Sequence, residues 1–193
     1  MDNITETFLK NNLSDISDKS IALFKTLMGY KKYSKGDIIL DYGKPTSKFY
    51  ILKSGLVGSF IKNDEGNEFI RTLYTPNKSL GSLSALIKKK GSNARYACLI
   101  DCEIVEGDFY KFRKLANKNL ELSLMYNNVL EQVYLRSEKK IDELSLLNAS
   151  QRYLILKEDI PNIDNLLPQY QIANYLNITP VQLSRIRKKM FSE

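Results

Sequence analysis

Between Gln169 and Lys189 lie side chains suited to hydrogen bonding with a nucleic acid: Gln169, Thr179, Gln182, Ser184, Arg185, Lys188 and Lys189, with Val181 among them. Arginine and lysine donate to phosphate oxygens and guanine edges, glutamine and serine reach base edges, and a valine methyl can meet a thymine methyl. From Pro168 to Glu193 there are four basic residues, Arg185, Arg187, Lys188 and Lys189, against one acid, Glu193. A basic helix end also complements the helix dipole, so charge alone does not carry the reading.

The elements that must present these groups are legible in the spacing. Ile172 and Leu176 form the inner face of a first helix, and Ala173 is small where a second helix crosses close to it. Asn177 occupies a turn position that needs left-handed backbone, which Gly or Asn tolerates best. Ile178 plugs the turn, Thr179 caps the second helix, and Pro180 sits at its first position, where a missing N–H costs nothing. Leu183 and Ile186 face inward, leaving Val181, Gln182, Ser184, Arg185, Lys188 and Lys189 outward. The pattern is a helix-turn-helix.

The rest of the chain excludes most alternatives. With no histidine, Ser-His-Asp and Cys-His catalysis, His-ligated zinc and His-ligated haem are ruled out. There is no Gly-Lys-Ser/Thr phosphate loop and no Gly-x-Ser-x-Gly elbow, and the one Ser-x-x-Lys, Ser137 to Lys140, falls in a helical run where chance supplies it. An enzyme is therefore not expected, nor is a metal or cofactor. Cys98 and Cys102 lie in a β-like run, where extended chain would set them ~13 Å apart, so they read as structural thiols rather than a disulfide. The first residues lack a signal-peptide pattern and no apolar run approaches the roughly 18 residues of a membrane span, so a cytoplasmic protein without membrane contact is expected. The 193 residues carry 29 Lys plus Arg against 22 Asp plus Glu, are 43% hydrophobic and 26% charged, and so can form one or two ordinary globular domains.

Residues 1 to about 28 have roughly helical apolar spacing at Phe8, Leu9, Leu13, Ile16, Ile21, Phe24, Leu27 and Met28. From Tyr33 to Ile104 short β-favouring runs alternate with Gly, Pro, Asn and Asp turns, which indicates an antiparallel sandwich or barrel. One or more helices run from about 109 to 147, with an apolar seam at Leu122, Met125, Val129, Val133, Ile141 and Leu144. The seam either covers the β domain or also packs on its copy in a dimer. Asn148-Ala149-Ser150-Gln151 reads as a helix cap and places a domain boundary, with Leu154, Ile155 and Leu156 as core and Lys157 to Asn165 as a loop.

This order of β-roll, long helix and C-terminal helix-turn-helix resembles the Crp/Fnr transcriptional regulators over essentially the whole chain. The marks are Lys35-Gly36-Asp37-Ile38-Ile39, Gly43, Phe49 to Val57, Gly66-Asn67-Glu68, Ala173 to Pro180 and Leu183 to Arg187. The resemblance implies an α+β fold: an N-terminal antiparallel β-roll of the cyclic-nucleotide-binding kind with a long dimerisation helix (1–147), then a helix-turn-helix domain (148–193). It implies a homodimer on near-palindromic double-stranded DNA, with RNA polymerase as a further partner. Within it Arg185 matches the guanine-reading arginine and Ser184 the adjacent base-contacting position, while Val181 stands where many members carry a cytosine-reading Glu.

Departures from the family decide the expected signal. Cyclic-nucleotide binders carry Glu after the cassette glycine and Arg about eleven residues beyond that glycine; here Gly81 is followed by Ser82, and Ser92 stands at the Arg position. Two hydroxyls cannot replace a carboxylate and a guanidinium fork, so cyclic AMP is not the expected effector. Arg95 enters the phosphate position only through a register shift. Arg71, Tyr74, Ser82, Ser92 and Arg95 remain candidates to line another pocket, for an unidentified small molecule, or are ordinary strand and surface residues. The sequence ends four residues after Lys189, so a full β-hairpin wing is not expected. The competing reading is a ligand-binding signalling module whose C-terminal helices contact a protein.

Overall fold

The computed structural model describes residues 2–190; Met1, and the Glu193 counted in the terminal charge, lie outside them. Two short helices, α1 (Asp2–Asn12) and α2 (Asp18–Lys25), open the chain. Ser17 caps α2 by accepting a hydrogen bond from the Ser20 N–H. The helical spacing expected to reach residue 28 stops at Lys25, and Met28 opens the strand β1 (Met28–Tyr33). That strand is missed in sequence because Lys31 and Lys32 hide its alternation. They suit a sheet edge, where charge discourages further pairing.

There follow β2 (Ile38–Leu40), β3 (Lys48–Ser54), β4 (Val57–Lys62), β5 (Glu68–Tyr74), β6 (Ser79–Leu80), helix α3 (Leu83–Lys88), β7 (Arg95–Cys98) and β8 (Cys102–Asp108). They form two antiparallel four-stranded sheets, ordered β1-β8-β3-β6 and β2-β7-β4-β5. Leu40, Tyr50, Leu52, Val57, Tyr96 and Ile104 form one of the roll's buried clusters. The β3–β4 turn needs glycine: Gly55 has φ 103°, and a Cβ there would lie 2.5 Å from both the Asp101 carbonyl oxygen and Cys102 Sγ.

The cysteines correct the extended-chain expectation. The chain leaves β7 at Cys98, turns, and enters β8 of the other sheet at Cys102. Both are buried free thiols, and Cys102 Sγ donates to the Ile100 and Leu56 carbonyls at 3.2 and 3.6 Å. The neighbouring Cys102 and burial push the Cys98 thiol up, so it stays protonated.

The run from 109 is two helices, α4 (Phe109–Ala116) and α5 (Leu120–Leu146). Asn119 separates them: its side-chain Oδ1 accepts from the Leu122 N–H at 2.9 Å, and its Nδ2 donates to Ser20 Oγ at 2.9 Å. Leu122 and Met125, 0% and 2% exposed, pack with Phe24, Ile51, Val105 and Phe112, and Val129 lies against the same cluster. Each fully buried Leu or Met contributes ~1.5–3 kcal/mol. The first half of α5 therefore covers its own roll.

After the turn come α6 (Ala149–Asp159), α7 (Ile163–Leu166), α8 (Gln169–Tyr175) and α9 (Pro180–Met190). Asn148 and Gln151 form the expected reciprocal cap, both bonds 3.0 Å. Two details differ from expectation. Tyr153 and Leu156 face the core while Leu154 is 48% exposed, and the segment read as a loop from Lys157 contains the end of α6 and most of α7. The α6–α9 core is continuous with the roll: Leu56 and Leu99 cluster with Tyr153, Leu156, Ile163, Ile172 and Leu183. Among the described residues no helix is long and apolar enough to cross a membrane.

Candidate nucleic-acid interface

The turn between α8 and α9 forms as its residues require. Asn177 has φ 55°, and the Ile178 N–H bonds the Ala173 carbonyl at 3.0 Å. Ile172, Ala173, Leu176 and Leu183 are 0–1% exposed, so the two helices are packed through the residues read as their inner faces. Thr179 Oγ1 accepts from the Gln182 N–H at 3.2 Å, while Gln182 Oε1 accepts from the Thr179 N–H at 2.8 Å. Gln182 is therefore committed in part to the cap, leaving its amide NH₂ outward. Gln169 Nε2 donates to the Pro180 carbonyl at 2.7 Å and ties the start of α8 to the start of α9.

The outer face of α9 is open. Val181, Gln182, Ser184, Arg185, Lys188 and Lys189 are all exposed. Among the described residues no carboxylate pairs with Arg185. Arg187 behaves differently from Arg185. Its Nε donates to Tyr153 Oη at 3.0 Å and its Nη2 pairs with Asp164, whose carboxylate also accepts from the Tyr153 hydroxyl at 2.8 and 2.9 Å. Burial, then the Asp164 contact, raises the Tyr153 phenol and keeps it a donor. This triad, invisible in a count of charges, pins α9 to α6 and α7.

The expected α5 seam divides in two. Leu122 and Met125 are buried in the protomer and Val129 packs on the same core, so burial in the chain's own roll overrides their expected contact with a partner. Val133 is half-buried. Ile141 and Leu144 are 63% and 51% exposed, and their helical spacing sets them on one side of α5 with half-buried Leu130 and with Tyr134, 66% exposed. Leu130 and Tyr134 share that side and were missed, because the expected seam joined members of two apolar stripes on one helix.

The five pocket candidates line neither of the two open hollows described below. Ser82 and Ser92 are 3% and 2% exposed, and Ser92 Oγ is occupied with Ala94, donating to its carbonyl at 2.7 Å. Tyr96, 2% exposed, donates to the Gly81 carbonyl at 2.8 Å and packs against Tyr74 with ring centroids 6.2 Å apart. Arg71 Nη2 donates to Tyr96 Oη at 3.4 Å. Arg95 does not slide toward the cassette: it pairs with Glu68 at 2.5 Å and lies over the rings of Phe60 and Tyr42. Burial pushes the Tyr42 phenol up to about 12. Two open hollows, of about 520 Å³ beside Pro45, Lys89 and Tyr110 and about 480 Å³ beside Tyr33, Lys44 and Tyr50, include none of the five.

Residues 30–119 match the family model of the cyclic nucleotide-binding domain. The chain is 21% identical over 136 residues to the cAMP-activated global transcriptional regulator CRP of Salmonella typhimurium, a match covering 70% of this chain and 65% of that relative. Among solved structures, it is similar to a transcriptional regulator of the Crp/Fnr family from Eubacterium rectale, with TM-score 0.72 and 13% identity over 94% of this chain and 88% of the other. FixK2 from Bradyrhizobium japonicum gives TM-score 0.71 and 16% identity over 86% and 85% of the two chains.

Proposed function

We propose, from the premise that this chain belongs to the Crp/Fnr-type regulators and holds a cyclic nucleotide-binding domain at residues 30–119, that it is a sequence-specific DNA-binding transcriptional regulator acting as a homodimer. The observation that carries the reading is the α9 face. Arg187 is held inward by Tyr153 and Asp164, while Ser184, Arg185, Lys188 and Lys189 stand outward together on a capped helix. Arg185 forks onto a guanine in the major groove, Ser184 and Val181 contact neighbouring base edges, and Lys188 and Lys189 hold phosphate. Thr179, the Gln182 amide and Gln169, at the turn, face the DNA backbone.

The apolar stripe of Leu130, Tyr134, Ile141 and Leu144, exposed at its last three members, supports a two-fold contact along α5. Such a contact sets the two recognition helices ~34 Å apart on a near-palindromic site. RNA polymerase is the partner through which bound protein alters transcription. The roll does not take cyclic AMP: Ser82 and Ser92 stand in place of the two charged anchors, and buried Tyr96 donates to the Gly81 carbonyl beside Ser82. Selection of bound sequences from random duplexes tests the proposal; enrichment of an inverted repeat supports it, and no enrichment over genomic background overturns it.

A further inference from the structure

The strand β5 is the outer strand of its sheet, so one of its sides has no neighbouring strand. Asn174 of α8 closes part of that side. Its Oδ1 accepts from the Ile70 N–H at 2.6 Å and its Nδ2 donates to the Glu68 carbonyl at 2.8 Å. One side-chain amide thus makes the donor and acceptor pair that an added strand would make. The Glu68 carboxylate is in turn paired with Arg95 of β7 at 2.5 Å, so the clasped end of β5 is tied across the sheet.

The remaining contacts between the roll and α6–α9 described above are largely apolar, through Leu56 and Leu99. Apolar contact is non-directional and tolerates sliding, whereas two hydrogen bonds to successive outward backbone groups fix both register and angle. The clasp leaves Val181, Gln182, Ser184, Arg185, Lys188 and Lys189 exposed. It therefore does not hide the recognition face; it sets where that face points.

We infer that Asn174 is a positioning residue: by clasping the edge of β5 it fixes the direction of α9 relative to the roll and α5, and so the half-site spacing that the dimer accepts. This rests on the dimeric DNA-binding reading above. Two recognition helices reach successive major grooves only at one separation, so freedom at the α8–β5 joint widens the range of spacings bound and weakens the best one.

The test measures affinity for the selected inverted repeat and for versions with one or two base pairs added or removed between the half-sites, using wild type, Asn174→Ala and Asn174→Asp. Hydrogen exchange at the Ile70 amide reports the clasp directly. Wild type is expected to favour one spacing. Asn174→Ala should lose about tenfold at that spacing, with little change at the others, as two hydrogen bonds per protomer are removed. Base discrimination within a half-site should stay intact and the Ile70 amide should exchange faster. Asn174→Asp keeps the acceptor for Ile70 but sets a carboxylate against the Glu68 carbonyl, so its spacing profile should broaden too; it decides the matter if the alanine variant fails to fold. A folded Asn174→Ala with rapid Ile70 exchange and an unchanged spacing profile, or a folded Asn174→Asp with an unchanged profile, overturns the inference alone. Wild type with no preference for spacing or for inverted repeats overturns the dimeric reading and the inference with it.

Discussion

Arg185 and Arg187 stand two residues apart on α9, yet their loss should have opposite consequences. Arg187→Ala removes the 3.0 Å bond to Tyr153 Oη and the pair with Asp164, where the two charged side chains are 23% and 29% exposed. Hydrogen bonds to charged groups contribute ~1.5–3 kcal/mol each, and partial exposure together with the surviving Tyr153–Asp164 bonds reduces the sum to ~2–3 kcal/mol. For a chain of this size that lowers Tm by roughly 5–10 °C. Arg185 is exposed with no described carboxylate partner, so Arg185→Ala should leave stability within ~0.5 kcal/mol of wild type. It should instead remove ~1–3 kcal/mol of preference at one base pair in each half-site. Thermal unfolding, and binding to a set of single-base variants at a temperature where both proteins are folded, separate the two. If Arg187→Ala melts like wild type but loses base preference, the assignment of inward and outward faces on α9 is wrong.

Lys188→Ala should weaken all sequences alike and flatten the salt dependence by about one unit per lost phosphate contact, hence about two for the dimer, seen in titrations over a salt series. Ile141→Glu combined with Leu144→Glu should dissociate a dimer without unfolding the roll, whereas Leu122→Ala should cost ~2–5 kcal/mol of stability and leave the assembly unchanged; sedimentation and chemical denaturation distinguish them. Equal mass for wild type and the double glutamate variant, both folded, rejects the α5 stripe as the interface. Calorimetry with millimolar cyclic AMP should show no saturable heat, since Ser82 and Ser92 stand where the family's nucleotide binders carry an acid and an arginine; saturable micromolar binding contradicts this.

The amino-acid sequence by itself determined what depends on neighbours along the chain. Asn177 in left-handed backbone, Thr179 as a cap, the Asn148–Gln151 cap and the glycine-marked strands are all local conformational preferences, and each appears where the residue types place it. Only the tertiary structure decided questions that turn on which distant group arrives alongside. Helical spacing put Leu122 and Ile141 on one seam, but α1, α2 and the roll cover the first and not the second. Charge counting grouped Arg187 with Arg185 until Asp164, 23 positions away, claimed it. Extended geometry separated Cys98 from Cys102, yet the chain turns between two sheets and returns the second thiol to the first. Asn174, unremarkable in a helical run, acquires its role from β5, 104 positions earlier. Periodicity and capping report the conformation of a segment; hydrogen bonds and burial between segments depend on the packing of the whole chain.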